Sequence, residues 1–210
     1  MVEILFEDSD IIVCVKPAGL PVQTAALAQP DLESELKKHL AGGYLAVIHR
    51  LDQPVEGLLL FAKNPRAAAA LSKQVQNGGG MNKHYLARIC GHMAADRGEF
   101  EDLLVKDAKT NRSRIAKAGE PGAKRAVLEY EVLEKDADTE LLGITLHTGR
   151  HHQIRVQLSS RNVPILGDAK YGGKTVKDKG PQRLCLAADR LEFVHPSSGE
   201  RMNYQITVDF

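Results

Sequence analysis

The feature that most constrains the fold is the apolar run GLLLFAK at residues 57–63. Its length, its apolar composition and the flanking Pro54 and Asn64 predict a buried strand. A buried strand needs neighbouring strands for its backbone hydrogen bonds, so the chain must form a sheet with a real core. The polar sequence HRLDQP precedes this strand and places Arg50 and Asp52 at its start, on a constrained turn.

Further strands and a few helices are predicted along the chain. Strands are expected at 11–16, 83–91, 126–135 and 140–148, and a closing hairpin at 190–208. Asp31 and Asn64 have the side chains of helix N-caps, which predicts helices over 31–41 and 64–76, and a third helix is expected at 149–162. Long antiparallel stretches with interspersed helices predict an α+β fold and not a doubly wound sheet.

Composition limits the class of protein. A chain of 210 residues that is 43% hydrophobic can bury a core, as one domain or two small ones. No run approaches the length of a membrane-spanning helix, and the acidic start MVEILFEDSD does not resemble a signal peptide. The three widely spaced cysteines favour buried, reduced thiols, so we expect a cytoplasmic protein.

Charge is distributed unevenly, although the formal net charge is only +1. Residues 1–40 carry seven acids and three bases, whereas residues 106–125 carry seven bases and two acids. Residues 145–183 carry eight bases and two acids. This segregation favours a basic face directed at a polyanion, and solvated loops are the alternative.

Common catalytic templates are missing from the sequence. There is no Gly-x-x-x-x-Gly-Lys-Ser/Thr phosphate loop and no Gly-x-Ser-x-Gly nucleophile elbow. Adjacent histidines at 151 and 152 would point about 100° apart on a helix, so we expect no metal site.

Asp52 is the remaining candidate for chemistry. A carboxylate beside a core strand needs a counter-charge, for which Arg50 and Arg155 are the candidates. With such a partner, Asp52 could serve as a nucleophile or general base. The residues alone favour the alternative, a structural Arg–Asp pair that fastens the turn.

Five motifs resemble, in order, those of the RluA-type pseudouridine synthases, which act on large-subunit rRNA or tRNA. Beside HRLDQPVEGLLLFAKN (49–64), they are LFEDSDIIVCVKPAGLPV (5–22), KHYLARICG (83–91), TGRHHQIRVQL with VPILGDAKYGG (148–173), and RLCLAADRLEFVHPSSGE (183–200). Together they span nearly the whole chain.

The resemblance implies a fold, an activity and partners. The fold would be a largely antiparallel mixed sheet with flanking helices and loops around a central active-site cleft. Residues 1–210 would form a single catalytic domain without the N-terminal S4-type domain of many relatives. The activity would be the isomerisation of uridine to pseudouridine in structured rRNA or tRNA, without cofactor or metal. We expect a monomer that binds RNA, and neither DNA nor membrane.

Roles for individual residues also follow from the resemblance. Asp52 would be the nucleophile, Arg155 would keep it ionised, and Tyr85 would stack on the target base. Arg50 would fill the space left by the extruded base. Asp168 and Tyr171 are expected to be structural supports. Further contacts to the substrate are expected from His49, Leu184, Leu186, Arg150 and Gln153.

Departures from the family pattern leave alternatives open. Val55-Glu56 stands where Thr-Ser is usual, and Gln157 and Ala187 each stand where histidine is usual. We expect Glu56 to point away from Asp52, toward Lys63 or Arg66. One alternative is a non-catalytic RNA-binding or chaperone relative. Another is a glycoside hydrolase that uses Asp52 with Glu56.

Overall fold

The structure, a computed structural model, describes residues 2–24, 29–76, 80–173 and 183–210. The chain divides into two compact units. Unit 1 comprises Met1–Lys83 and Ala187–Val208, and unit 2 comprises His84–Leu186 and Asp209–Phe210. The segment 174–182, in which the second basic stretch has most of its lysines, lies outside the described residues.

Unit 1 is built around the predicted apolar strand. The strand order is β1-β2-β4-β10-β11, with β3 paired to the end of β4. All of these pairings are antiparallel except that of β4 with β10, which is parallel. The strands are β1 (Glu3–Glu7), β2 (Ile11–Lys16), β3 (Ala46–Val47), β4 (Glu56–Ala62), β10 (Leu186–Val194) and β11 (Arg201–Gln205).

Two capped helices belong to unit 1. Helix α1 (Leu32–His39) begins after Asp31, whose side chain accepts a hydrogen bond from the Ser34 amide. Helix α2 (Pro65–Val75) begins after Asn64, whose side chain accepts from the Ala67 amide. Helix α2 packs on the sheet, because Ala67 and Leu71 join one buried cluster with apolar residues of β2, β4 and β10. The N-cap signals in the sequence therefore predicted both helix starts correctly.

Unit 2 is an antiparallel sheet of order β5-β9-β8-β6-β7. Its strands are β5 (Asn82–Cys90, which begins in unit 1), β6 (Arg97–Asp107), β7 (Arg112–Ile115), β8 (Lys124–Lys135) and β9 (Thr139–Leu146). Helix α3 (Gln153–Ser159) packs on one face, where Val156 contacts Leu104 and Ala126. The prediction of an α+β fold with largely antiparallel strands is confirmed.

The sequence-based boundaries need two corrections. Helix α3 begins at Gln153 and not near residue 149, because His152 adopts the left-handed backbone conformation (φ 54°, ψ 28°). His151 therefore lies before the helix. The basic segment 106–125 is not simply loop, since it includes the end of β6, all of β7 and the start of β8.

All three cysteines are free, with Cys14 and Cys185 buried and Cys90 partly buried. Burial raises the pKa of the Cys14 thiol to about 12.

Among the described residues, no helix is both long enough and apolar enough to cross a membrane.

Gly57 is needed where β4 and β10 meet. Its φ of +131° favours glycine, and an added Cβ would lie 2.3 Å from the Ala188 carbonyl oxygen. We predict that Gly57→Ala lowers the free energy of unfolding by more than about 3 kcal/mol, measured by urea denaturation. Gly199→Ala is the control, because Gly199 also has positive φ but its Cβ would meet nothing within 4 Å. Equal losses from the two variants would contradict this account.

Candidate active site

Asp52 lies on a short turn that leads into β4. The backbone amide of Val55 donates to the Asp52 carbonyl at 3.0 Å, which closes the turn. Leu51 and Val55 are buried on either side, whereas Asp52 is only partly buried. The two apolar side chains therefore fix the turn in unit 1 and leave the carboxylate within reach of solvent.

A buried lysine fastens this turn from the neighbouring strand. Lys16 is the last residue of β2 and pairs with Gly57 of β4, so it lies at the same end of the sheet as the turn. Its side chain has no exposed surface, and its Nζ donates to the carbonyls of Pro17, Leu20 and Gln53 at 2.9, 2.8 and 3.0 Å. One ammonium group thus joins the loop after β2 to the residue that follows Asp52.

Gln53 adds further hydrogen bonds to the same junction. The Gly19 amide donates to the Gln53 carbonyl at 2.9 Å, and Gln53 Nε2 donates to the Gly19 carbonyl at 3.0 Å. The motifs around Lys16 and Asp52 are 36 residues apart in sequence, yet they form one hydrogen-bonded unit.

Electrostatics connect Lys16 to the two carboxylates. Burial lowers the pKa of Lys16 to about 8, and the negative charges of Asp52 and Glu56 oppose that change. Lys16 is therefore a positive charge in the neighbourhood of Asp52 within unit 1. Its side-chain role was missed in the sequence analysis. The signal was a lysine at the end of an apolar strand, directly before Pro17 and a turn.

His49 and Lys83 form a second polar pair in unit 1. Burial lowers the pKa of His49 to about 3, and the charge of Lys83 adds to this effect, so the imidazole is neutral at physiological pH. Among the described residues, neither ring nitrogen of His49 has a hydrogen-bond partner, although both are buried. Burial also lowers the pKa of Lys83.

Arg50 is exposed and does not fasten the turn. Within the part of the chain that the structure describes, it forms no salt bridge, so a structural Arg50–Asp52 pair is not formed. Of the two expected partners of Glu56, Lys63 is engaged elsewhere. Lys63 binds Glu7 at 2.7 Å instead.

Arg155 in unit 2 forms a buried ion pair with Asp168. Its Nε and Nη2 donate to Oδ2 and Oδ1 of Asp168, both at 2.7 Å, and both side chains are almost wholly buried. Arg155 is therefore not a solvated helix arginine. Asp168 also accepts from the amides of Lys170 and Tyr171, as expected of a structural support.

Tyr171 links α3 to β7. Its hydroxyl oxygen accepts from the Ser113 amide at 2.8 Å and lies 2.8 Å from His152 Nδ1. The guanidinium carbon of Arg155 lies 5.1 Å from the centre of the Tyr171 ring. His151 adds a contact of its Nδ1 with Ser113 Oγ at 2.8 Å. This network holds Arg155 in place from two sides.

Two glutamines of the α3 motif have internal hydrogen bonds. Gln153 accepts from the Thr148 hydroxyl at 2.7 Å and donates to the Val127 carbonyl at 3.1 Å. Its predicted role in substrate binding stays a prediction. Gln157, one of the departures from the family pattern, is fully buried and donates to Asp102 at 2.7 Å, so it joins α3 to β6.

The remaining predicted site residues of unit 2 differ in exposure. Tyr85 lies on β5 opposite Ile144 of β9, and it is buried, as are Leu184 and Leu186. Arg150 is partly exposed, and its Nε donates to the Arg125 carbonyl at 2.8 Å. Asp52 thus belongs to unit 1, whereas Tyr85 and Arg155 belong to unit 2.

Comparison with known proteins decides the family. Residues 10–160 match the model of the RNA pseudouridylate synthase family. The chain belongs to this family. The predicted RluA-type resemblance is confirmed by relatives, among them the dual-specificity RNA pseudouridine synthase RluA of Vibrio vulnificus. That protein is 35% identical over 99% of this chain and 84% of its own length.

Other members of the pseudouridine synthase family give the same result. Ribosomal large subunit pseudouridine synthase D of Zymomonas mobilis is 34% identical over 96% of this chain and 68% of its own length. The solved structure of human RNA Pseudouridylate Synthase Domain Containing 4 superposes with a TM-score of 0.80 at 25% identity, covering 99% of this chain and 88% of that one. The glycoside hydrolase alternative is set aside, because these relatives are isomerases.

A cluster formed by residues of the first and last quoted motifs has the composition of a metal site. Asp8, Asp10 and His195 bring their ligand atoms within 4.8 Å of one another in unit 1. Nε2 of His195 lies 2.9 Å from Asp8, and its Nδ1 accepts from the Ser198 amide at 3.1 Å. Because both ring nitrogens are engaged, the geometry describes a hydrogen-bonded cluster that joins the β1–β2 turn to the end of β10.

The buried state of Lys16 predicts a pH dependence of stability. Its pKa falls from 10.5 in the unfolded chain to about 8 in the folded protein. Between these values the folded protein binds fewer protons, so the contribution of Lys16 to stability rises with pH. The free energy of unfolding of the wild type should rise relative to that of Lys16→Met between pH 8 and 10.5. A difference that is constant over this range would contradict the prediction.

The Arg155–Asp168 pair predicts a large effect of removing one partner. Asp168→Asn leaves a buried guanidinium without its counter-charge, so we expect a loss of about 3 to 5 kcal/mol in urea denaturation. Glu101→Gln is the matched control. Glu101 receives an equally short bidentate contact from Arg125, but both side chains are more than half exposed. The control should lose much less stability, and similar losses would show that burial of the pair is unimportant.

Proposed function

We propose that this pseudouridine synthase isomerises specific uridines of structured rRNA or tRNA, with Asp52 as the nucleophile. The observation that carries the proposal is the position of Asp52 on its turn. Gln53, the residue after Asp52, accepts a hydrogen bond from the buried ammonium group of Lys16. A carboxylate nucleophile acts efficiently when its oxygen atoms are held in a fixed position.

The chemistry needs an ionised carboxylate. Asp52 would attack either C1′ of the ribose or C6 of the base. The N1–C1′ bond breaks, the uracil turns over, and its C5 forms a bond to C1′. The bond between Asp52 and the substrate carbon that it attacked breaks again, which releases the carboxylate. The C5 proton is then lost and N1 takes up a proton, so the product is an isomer of the substrate. Lys16 supplies a positive charge that interacts electrostatically with Asp52.

The other motif residues have roles that depend on contact with RNA. Arg155 would provide a second positive charge for Asp52, and its buried pair with Asp168 supports this by fixing the orientation of the guanidinium. Tyr85 would stack on the target base. Arg50, which is exposed, would fill the space left by the extruded base. His49, Leu184, Leu186, Arg150 and Gln153 complete the proposed set of substrate contacts.

The substrate class is proposed from the relatives. One is named for the ribosomal large subunit and another for dual specificity toward RNA. We infer that the target uridine lies in a folded RNA and must be extruded before reaction. That the protein acts in the cytoplasm as a monomer, with no affinity for DNA, stays a prediction.

Loss of tritium from C5 tests the role of Asp52. RNA transcribed with 5-³H-uridine should release tritium with the wild type, whereas Asp52→Asn should be slower by at least about a thousandfold. Glu101→Gln, a surface carboxylate variant, is the control and should match the wild type.

Two outcomes would overturn the proposal. Equal release above background by wild type and Asp52→Asn would exclude Asp52 as the nucleophile. Background release by both, with RNA binding retained, would favour the non-catalytic RNA-binding relative.

A further inference from the structure

The sheet of unit 2 has two faces that differ in charge. Directly opposed residues of antiparallel strands share a face, and so do residues two apart along one strand. Tyr85 opposes Ile144, and Ile144 opposes Tyr130, so these three residues define the Tyr85 face. The register of β8 with β6 extends this face through Leu128 and Phe100.

The opposite face is rich in arginine, but acids neutralise it. Arg97 contacts Glu131 at 3.0 Å, and Arg125 contacts Glu101 at 2.7 Å. Two more arginines lie on β7. Arg114 binds Glu120. Arg112 stands opposite Asp107 in the register of β7 with β6, but among the described residues the Asp107 side chain accepts from Lys109 and Thr110 instead. Three of these four arginines are therefore compensated by acids.

The far end of the Tyr85 face carries lysines instead. Lys124 opposes Leu104, and Lys106 is two residues farther along β6, so both lysines lie on this face. Both are exposed, and within the described ranges neither takes part in a salt bridge. The acid of β6 on this face, Asp102, is bound by Arg161 and Gln157.

Two further basic side chains border these lysines. Arg150 donates from its Nε to the Arg125 carbonyl, which places it beside the start of β8, next to Lys124. Lys170 donates from Nζ to the Asn111 carbonyl at 3.0 Å, at the turn that joins β6 to β7. In both cases the acceptor is a neutral carbonyl, so the positive charge is not cancelled there.

We propose that Lys106, Lys124 and Arg150 form a phosphate-binding strip that holds the RNA flanking the target uridine. This inference rests on the proposed function, because it takes the polyanion to be the substrate. Exposed cations without acidic partners release counterions when they meet phosphates, whereas arginines already bound to carboxylates gain little. The strip lies on the face that bears Tyr85, which is the face where a stacked base is expected.

The strip predicts the effect of two charge-matched variants on RNA binding. Variant S carries Lys106→Gln, Lys124→Gln and Arg150→Gln, and variant C carries Arg97→Gln, Arg114→Gln and Arg125→Gln. Each loses three positive charges. The probe is a fluorescein-labelled RNA stem-loop with uridines in its loop, titrated by fluorescence anisotropy at several salt concentrations. Thermal unfolding of both variants checks that each is folded.

Variant S should bind the probe at least about tenfold more weakly than the wild type, and its salt slope should fall by about two to three. Variant C should stay within about threefold of the wild type. Equal weakening by both variants would show that RNA affinity depends only on net charge, which would overturn the proposed strip. A variant S that binds the probe like the wild type would also overturn it.

Failure of the proposed function gives a different result. A wild type that makes no pseudouridine would overturn the proposed activity, while the comparison of variants S and C would still decide where RNA binds. If variant S instead loses affinity for an acidic peptide such as polyglutamate as strongly as for RNA, the strip is a general anion surface and the RNA assignment is wrong.

Discussion

The ammonium group of Lys16 is the interaction on which the candidate site of unit 1 depends. Its three carbonyl acceptors belong to two segments that are distant in sequence, and one of them is the residue after Asp52. A buried charge is costly unless its donors are satisfied and opposite charge is near. Here the carbonyls satisfy the donors and the two carboxylates supply the charge. The requirement of Lys16 for compensation therefore shapes the turn that carries Asp52, the proposed nucleophile.

The same physical requirement applies in unit 2, where the buried cation is an arginine and its hydrogen-bond acceptors belong to a carboxylate. The Arg155 guanidinium is satisfied on one edge by Asp168, which is itself held by two backbone amides. Tyr171 then joins this pair to β7 through Ser113. The long, flexible side chain of Arg155 is held in one position because Asp168 and Tyr171, which contact it, are themselves held by hydrogen bonds. This rigidity suits the role proposed for Arg155, which is to orient a carboxylate.

The fold could be predicted where one local signal dominates. Caps at Asp31 and Asn64 gave the starts of α1 and α2, and β-branched composition gave β2. Strands β6 and β7 were missed because their exposed face is charged. Their sequences therefore show little of the alternation of apolar and polar residues that identifies a strand, and they resemble loops. The chemistry proposed for the site rests on motifs alone. A single lysine at a strand end looks solvated in sequence, and only the register of β2 with β4 shows that Lys16 meets the turn of Asp52.

The central claim is that Asp52 turns uridine into pseudouridine. The most direct measurement is nucleoside analysis of a structured rRNA transcript after incubation with excess protein, followed by digestion and chromatography with mass detection. The account predicts that pseudouridine appears with the wild type, that the sum of uridine and pseudouridine is constant, and that Asp52→Asn yields none while it stays folded and binds the transcript. Pseudouridine formed by folded Asp52→Asn at the wild-type rate would contradict it.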